Sequence, residues 1–111
     1  TLLEKVSCPV QGIFGELDNL VPLDNVLRLG NVLARAKKSF DIRVYAEAPH
    51  GFLNDTMPGR YRDSSTQAAW SQILSFLDAT LNKGWDKQRV IWRFESDTSV
   101  HYDFTKNRRW E

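Results

Sequence analysis

The apolar positions of this chain change period several times along its length. Val10, Ile13 and Phe14 form a short cluster entered through Cys8-Pro9, and proline is tolerated where a strand starts. Their lack of clean alternation predicts a strand covered on both faces, although Gln11 and Gly12 dilute the signal. Val26, Leu29, Leu33 and Ala36 recur at three- and four-residue steps. That spacing predicts an amphipathic helix from Leu23 to Lys38, with Arg28, Arg35 and Lys37 toward water. Pro22 suits its first turn and Asp24 its positive end, while Gly30 interrupts it at a cost of about 1 kcal/mol relative to alanine. Phe40, Ile42 and Val44 then alternate with Asp41, Arg43 and Tyr45. This reads as a strand with one face more exposed than the other, near the edge of a sheet.

Further on, Ser64-Ser65-Thr66-Gln67 fits a capping box that opens a second helix. Ala69, Ile73, Phe76, Leu77 and Leu81 mark its buried face, Trp70 widens it and Gly84 stops it. The helix is expected to cover one side of the sheet and to support the loop that precedes it. Beyond Gly84 the composition changes. Val90-Ile91-Trp92-Arg93-Phe94 and Val100-His101-Tyr102-Asp103-Phe104 alternate, and Glu95 to Ser99 join them, which predicts a β-hairpin. A lone hairpin is marginal in water, so its aromatic face must dock on the preceding domain, a second chain or a following domain. The fold class is therefore α/β. Residues 1–84 contribute two parallel strands and two helices of a larger sheet, and residues 85–111 form a hairpin extension. Two strands cannot cover the apolar faces of two helices, so the chain is expected to be poorly stable alone or to self-associate through its sheet edge.

Composition narrows the choices. A chain of 111 residues with 41% hydrophobic content is of single-domain size. Fifteen Lys and Arg against 14 Asp and Glu, net +1, imply no general attraction to nucleic acid or an anionic membrane. The arginines and tryptophans of the tail would suit single-stranded nucleic acid, but Glu95, Asp97, Asp103 and Glu111 offset them, and His101 reads as a solvent-facing strand residue. The apolar runs are too short to span a bilayer. A single cysteine, Cys8, excludes an internal disulfide and fits a reducing, cytoplasmic setting. No metal or cofactor is predicted. The chain opens on Thr1 and runs almost at once into an interior-like strand, so it reads as a fragment whose preceding part, signal peptide included, would leave no trace here.

One pattern occurs twice: a strand, a loop bearing a titratable side chain, then a helix. Gly15-Glu16-Leu17-Asp18 follows the first strand and Ala48-Pro49-His50-Gly51-Phe52 the second. Loops after the carboxyl ends of neighbouring parallel strands emerge on one rim, so they can meet. A histidine acting as general base needs a carboxylate to fix its tautomer and to stabilise the imidazolium. Asp18 and His50 are the candidates. Each also has a plainer reading, Asp18 as a residue closing its turn with Asn19 and His50 as a satisfied, partly buried histidine. Taken as a pair they favour chemistry. Phe52 is expected to pack beneath the imidazole. The polar connection from Asn54 to Arg62 is of the kind that borders a binding site, and Arg60 and Arg62 read either as contacts for an anionic substrate or as a solvated loop.

From about Cys8 to Leu81 the chain resembles the C-terminal part of the dienelactone hydrolase family, a branch of the α/β hydrolases. The resemblance rests on Gly12-Ile13-Phe14-Gly15-Glu16-Leu17-Asp18, Val44-Tyr45, Ala48-Pro49-His50-Gly51-Phe52 and the helix containing Ala68-Ala69-Trp70, in that order and at that interval. It implies that Asp18 is the triad acid and His50 the triad base of a hydrolase cleaving a small ester or lactone. The family's nucleophile is usually a cysteine on a Gly-x-Cys-x-Gly elbow that precedes both, and no such elbow occurs in this sequence. Cys8, beside proline at a strand entrance, reads as structural, so the nucleophile is expected upstream and the chain alone is expected to be inactive. Members acting on the dienelactone itself carry an arginine where this chain has Asn54, which implies a broader ester or lactone substrate. Two alternatives stand beside this reading. One is a noncatalytic interaction module built on the aromatic hairpin, the other a serine peptidase of the α/β-hydrolase type.

Overall fold

Three strands, β1 (Val10–Gly15), β2 (Phe40–Tyr45) and β3 (Trp92–Ser96), form one parallel sheet in the order β1-β2-β3. Helix α1 (Leu23–Arg35) joins β1 to β2, and α2 (Asp63–Leu77) follows β2 and runs on into a π-helical turn, Asp78–Asn82. This architecture is that of a computed structural model, which describes residues 2–84 and 92–96. Register pairs Val10 with Phe40 through Gly15 with Tyr45, and Phe40 with Trp92 through Val44 with Ser96.

Two expectations are corrected by this topology. The sheet has three strands where two were expected, because residues 92–96 run parallel to β2 within it. Strand β3 also includes Glu95 and Ser96, which the pattern assigned to a turn. The hairpin's second arm, residues 100–104, lies outside the described residues. Alternation alone cannot distinguish these arrangements, since a hairpin arm and a parallel strand share the period of two. The second correction concerns β2, which is central rather than at an edge.

The same period sorts the strand residues into two layers. On one face, Phe40, Ile42, Val44 and Phe94 meet Val26 and Leu33 of α1, with Val10, Phe14 and Leu29 at the margin. Burying each larger side chain here stabilises the fold by about 1.5–3 kcal/mol. Gly30 belongs to this layer: a Cβ at that position would stand 3.0 Å from Phe94 Cδ2, so the helix interruption makes room for the β3 ring. Helix α1 stops short of Lys38 because Lys37 turns left-handed at φ 57. Lys38 N–H then donates to the Leu33 carbonyl at 2.9 Å and Lys37 N–H to Ala34 at 3.0 Å, a Schellman ending.

The opposite face explains the misplacement of β2. Asp41, only 8% exposed, accepts bonds from Arg93 Nε (3.0 Å) and Nη2 (3.2 Å) and from the side-chain amides of Gln11 and Gln72 (each 3.1 Å). Tyr45 donates its hydroxyl to Gln72 at 2.8 Å. Arg43 lies over the Tyr45 ring at 4.8 Å and pairs with Glu95 at 3.3 Å. The polar half of the alternation therefore faces a polar layer beneath α2, where it resembles a solvent face in sequence only.

Helix α2 meets this layer through Thr66, Ala69 and Gln72, which lie at three-residue steps. The expected capping box does not form: the N-cap is Arg62, without a side-chain cap. Thr66 instead spends its hydroxyl on the Phe52 carbonyl at 2.9 Å. Ile73 and Phe76 are half-buried, but Leu77 and Leu81 are exposed, as are Trp70 and Leu74. At 100° per residue these four fall on a different side of the helix from the Thr66-Ala69-Gln72 line. Among the described residues, no helix is long and apolar enough to cross a membrane.

Candidate active site

Strands β1 and β2 run parallel with Gly15 opposite Tyr45 as their last pair, so both loops leave from the same end of the sheet. The loops are laced together at once. Glu16 N–H donates to the Tyr45 carbonyl at 2.9 Å, and Leu17 N–H donates to the Ala48 carbonyl at 3.0 Å. Gly15 is required by proximity, since any Cβ there would collide with that same Ala48 carbonyl. Glu47 turns left-handed at φ 57, and its N–H donates to Glu16 Oε1 at 2.8 Å.

This lacing brings Asp18 and His50 into contact. His50 Nδ1 stands 2.8 Å from Asp18 Oδ2, while Asp18 Oδ1 accepts the N–H groups of Leu20 and Val21, each at 2.8 Å. One carboxylate oxygen closes the turn and the other holds the imidazole, so the two readings of Asp18 describe different atoms of one group. Burial pushes the Asp18 pKa up, but the Val21 amide, the His50 ring and the Leu20 amide together hold it below the ordinary aspartate value. An ionised carboxylate only accepts, so Nδ1 carries the proton and, in the neutral ring, Nε2 is left as a base. The Asp18 side chain is 6% exposed and that of His50 45%. Nε2 has no hydrogen-bond partner among the described residues.

The histidine loop is held from the α2 side. Phe52 is buried with Ala48 and Ala69, and its ring packs on Tyr45 with centroids 5.6 Å apart. Its carbonyl accepts the Thr66 hydroxyl and, at 3.1 Å, the Arg62 amide. Asn54 folds onto its own loop, where Oδ1 accepts the amide (3.0 Å) and hydroxyl (2.7 Å) of Thr56. Arg62 donates to the carbonyls of Gly59 and Tyr61 at 3.3 and 3.1 Å and so stiffens the loop, while Arg60 is exposed. Cys8 is exposed and precedes β1, at the opposite end of the sheet. A six-residue strand at about 3.3 Å per residue separates it by roughly 20 Å from the Asp18 loop. Among the described residues, no three His, Cys, Asp or Glu side chains converge to hold a metal ion.

Sequence reasoning did not single out Glu16, Glu47 or Thr66 as parts of this arrangement. The only available signal was an acid directly beside the turn glycine, Gly15-Glu16, whose partner is 31 positions away.

Comparison with known proteins adds three findings. A profile of the dienelactone hydrolase family matches residues 1–81. The "Putative carboxymethylenebutenolidase" of Escherichia coli O157:H7 is 32% identical over 71 residues, covering 64% of this chain and 26% of the relative. Proteins of the same name from Salmonella typhimurium (31% over 71 residues, 64% of this chain and 26% of the relative) and Methylorubrum extorquens (32% over 68 residues, 61% and 23%) are similar to a comparable degree. The chain thus spans about a quarter of the length of these curated relatives. No solved structure matches it.

Proposed function

Because the chain belongs to the dienelactone hydrolase family, we propose that it supplies the base and the acid of an ester- or lactone-cleaving triad, with His50 as base and Asp18 as acid. The observation that carries this is the 2.8 Å contact between His50 Nδ1 and a carboxylate whose other oxygen is fixed by two backbone amides. The nucleophile belongs to a longer protein, upstream of Thr1. Cys8 is unsuited to the part, as it stands at the wrong end of β1.

In this mechanism His50 Nε2 takes the proton of the upstream thiol or hydroxyl as it attacks the substrate carbonyl. Asp18 stabilises the imidazolium that forms, and its two amide contacts keep it ionised while it does so. The imidazolium then returns the proton to the leaving alcohol, which leaves an acyl-enzyme. Water, deprotonated by the same nitrogen, releases the acid. With Nε2 unengaged by described residues and nearly half of the side chain exposed, the ring can meet both nucleophile and substrate.

The substrate proposed is a small ester or lactone without a required carboxylate. Asn54 offers no cationic fork, and its carboxamide oxygen is already committed to Thr56. A cytoplasmic setting, consistent with the free thiol of Cys8, completes the reading.

The test is hydrolysis of a chromogenic ester by the longer protein and by its Asp18→Asn and His50→Ala forms. Losing the base is expected to lower kcat by about 10²- to 10⁴-fold, and Asp18→Asn by a comparable factor through the wrong tautomer. The 111-residue chain by itself is expected to be inactive. Ester cleavage by that chain, abolished by His50→Ala, would contradict the upstream nucleophile, and wild-type kcat in both variants would contradict the roles of Asp18 and His50.

A further inference from the structure

Between Tyr45, the last residue of β2, and His50 the chain must turn so that the imidazole arrives over Asp18. The turn depends on Glu47, whose φ of 57 lies in the left-handed region that glycine favours and other residues resist. Left-handed backbone at a residue with a side chain persists only where its surroundings hold it. Glu47 itself is exposed, so packing of its side chain does not supply the restraint. Its N–H does: that group donates to Glu16 Oε1 at 2.8 Å. Glu16 is half-buried and sits two residues before Asp18. Its own N–H is anchored on the Tyr45 carbonyl. The residue thereby bridges the two loops with its backbone at one point and its side chain at another. The remaining link, Leu17 N–H to Ala48, holds the chain one residue beyond the left-handed turn. Among the described residues, Glu16 is the one whose side chain accepts from the Glu47 amide.

We propose that Glu16 is a positioning residue for His50: by accepting the Glu47 N–H it holds the left-handed turn that sets the imidazole on Asp18. The inference rests on reading Asp18 and His50 as a working pair, but it assigns to Glu16 a task that neither of them performs. An acceptor is all the task needs. A glutamine side chain can therefore replace the carboxylate, and a glycine at position 47 makes the restraint unnecessary.

The test follows the Nδ1 proton of His50 by NMR in the longer protein, with His50→Gln used to assign the signal and far-UV circular dichroism to monitor the helices. Wild type and Glu16→Gln are expected to show a downfield, slowly exchanging ring proton. Glu16→Ala is expected to keep its helical signal while that proton broadens or exchanges about tenfold faster, as follows from releasing one strained residue. Adding Glu47→Gly to Glu16→Ala should restore the resonance. In the longer protein, the same series should lower and then recover kcat for ester cleavage. A Glu16→Ala proton as slow as that of wild type would overturn the assignment. So would loss of helical signal in that variant, because Glu16 would then support the whole fold, and so would failure of Glu47→Gly to rescue. If the wild-type chain itself lacks the protected proton, the Asp18–His50 pairing fails and the role of Glu16 falls with it, an outcome separable from failure in the alanine variant alone.

Discussion

Gly15 approaches the Ala48 carbonyl so closely that no side chain fits between them. The relationship joins the last residue of β1 to the backbone two positions before His50, so the acid's loop and the base's loop are held together there as well as by their hydrogen bonds. Gly15→Ala must push the histidine loop off the sheet end. The expected cost is about 1–3 kcal/mol, typical of a substitution that overpacks a close contact. Urea denaturation checks it, and a variant as stable as wild type would show that the two loops are not in contact.

The polar layer under α2 makes a second prediction. Arg93 reaches Asp41 with two nitrogens, at 3.0 and 3.2 Å, and so ties β3 to β2 by side chains as well as by the ladder. Among the described residues, Arg93→Ala leaves this buried carboxylate with the Gln11 and Gln72 amides as its donors. Because the Arg93 side chain is 32% exposed, the loss should be about 1–2 kcal/mol, below the ~3–5 kcal/mol of a fully buried pair. Arg93→Lys should recover only part of it, since an ammonium cannot fork. Equal denaturation midpoints for lysine and arginine would contradict the bidentate geometry.

A third prediction concerns acid. The folded-state pKa of Asp18 lies below its ordinary value of 3.8, so the unfolded chain binds its proton first as the pH falls. The carboxylate therefore contributes stability that is fully present above about pH 4 and is lost as the pH drops through the folded value. Asp18→Asn removes that contribution. The stability gap between wild type and Asp18→Asn should narrow progressively as the pH falls below about 4. Urea titrations across that range measure it, and a gap that widens in acid would reverse the sign of the shift.

Residue by residue, these features differ in how far the sequence announced them. That Asp18 and His50 meet was legible because parallel neighbours deliver their following loops to one rim, and because each loop carried one titratable group. The helices were legible from their three- and four-residue spacing, although that spacing put Trp70, Leu77 and Leu81 on the buried face of α2, where they are exposed, and the stop of α1 after Arg35 depends on a backbone angle at Lys37 that lysine does not advertise. The central place of β2 was not legible. Asp41 and Arg43 alternate as a wet face would, and their partners Arg93, Gln11, Gln72 and Glu95 are 30 to 52 residues away. The parallel pairing of β3 was hidden for a related reason, since alternation reports two faces and never names the neighbouring strand. Glu16 was hidden most completely, because its task exists only once Glu47 has turned left-handed.

The central claim, that the imidazole at position 50 moves the protons of ester cleavage, is tested most directly by chemical rescue in the longer protein. His50→Gly removes the ring from a site that is nearly half exposed and leaves space for free imidazole. The account predicts that this variant loses about 10²- to 10⁴-fold in kcat toward a chromogenic ester and regains activity in proportion to added imidazole. Ester cleavage by His50→Gly at the wild-type rate, indifferent to imidazole, would contradict it.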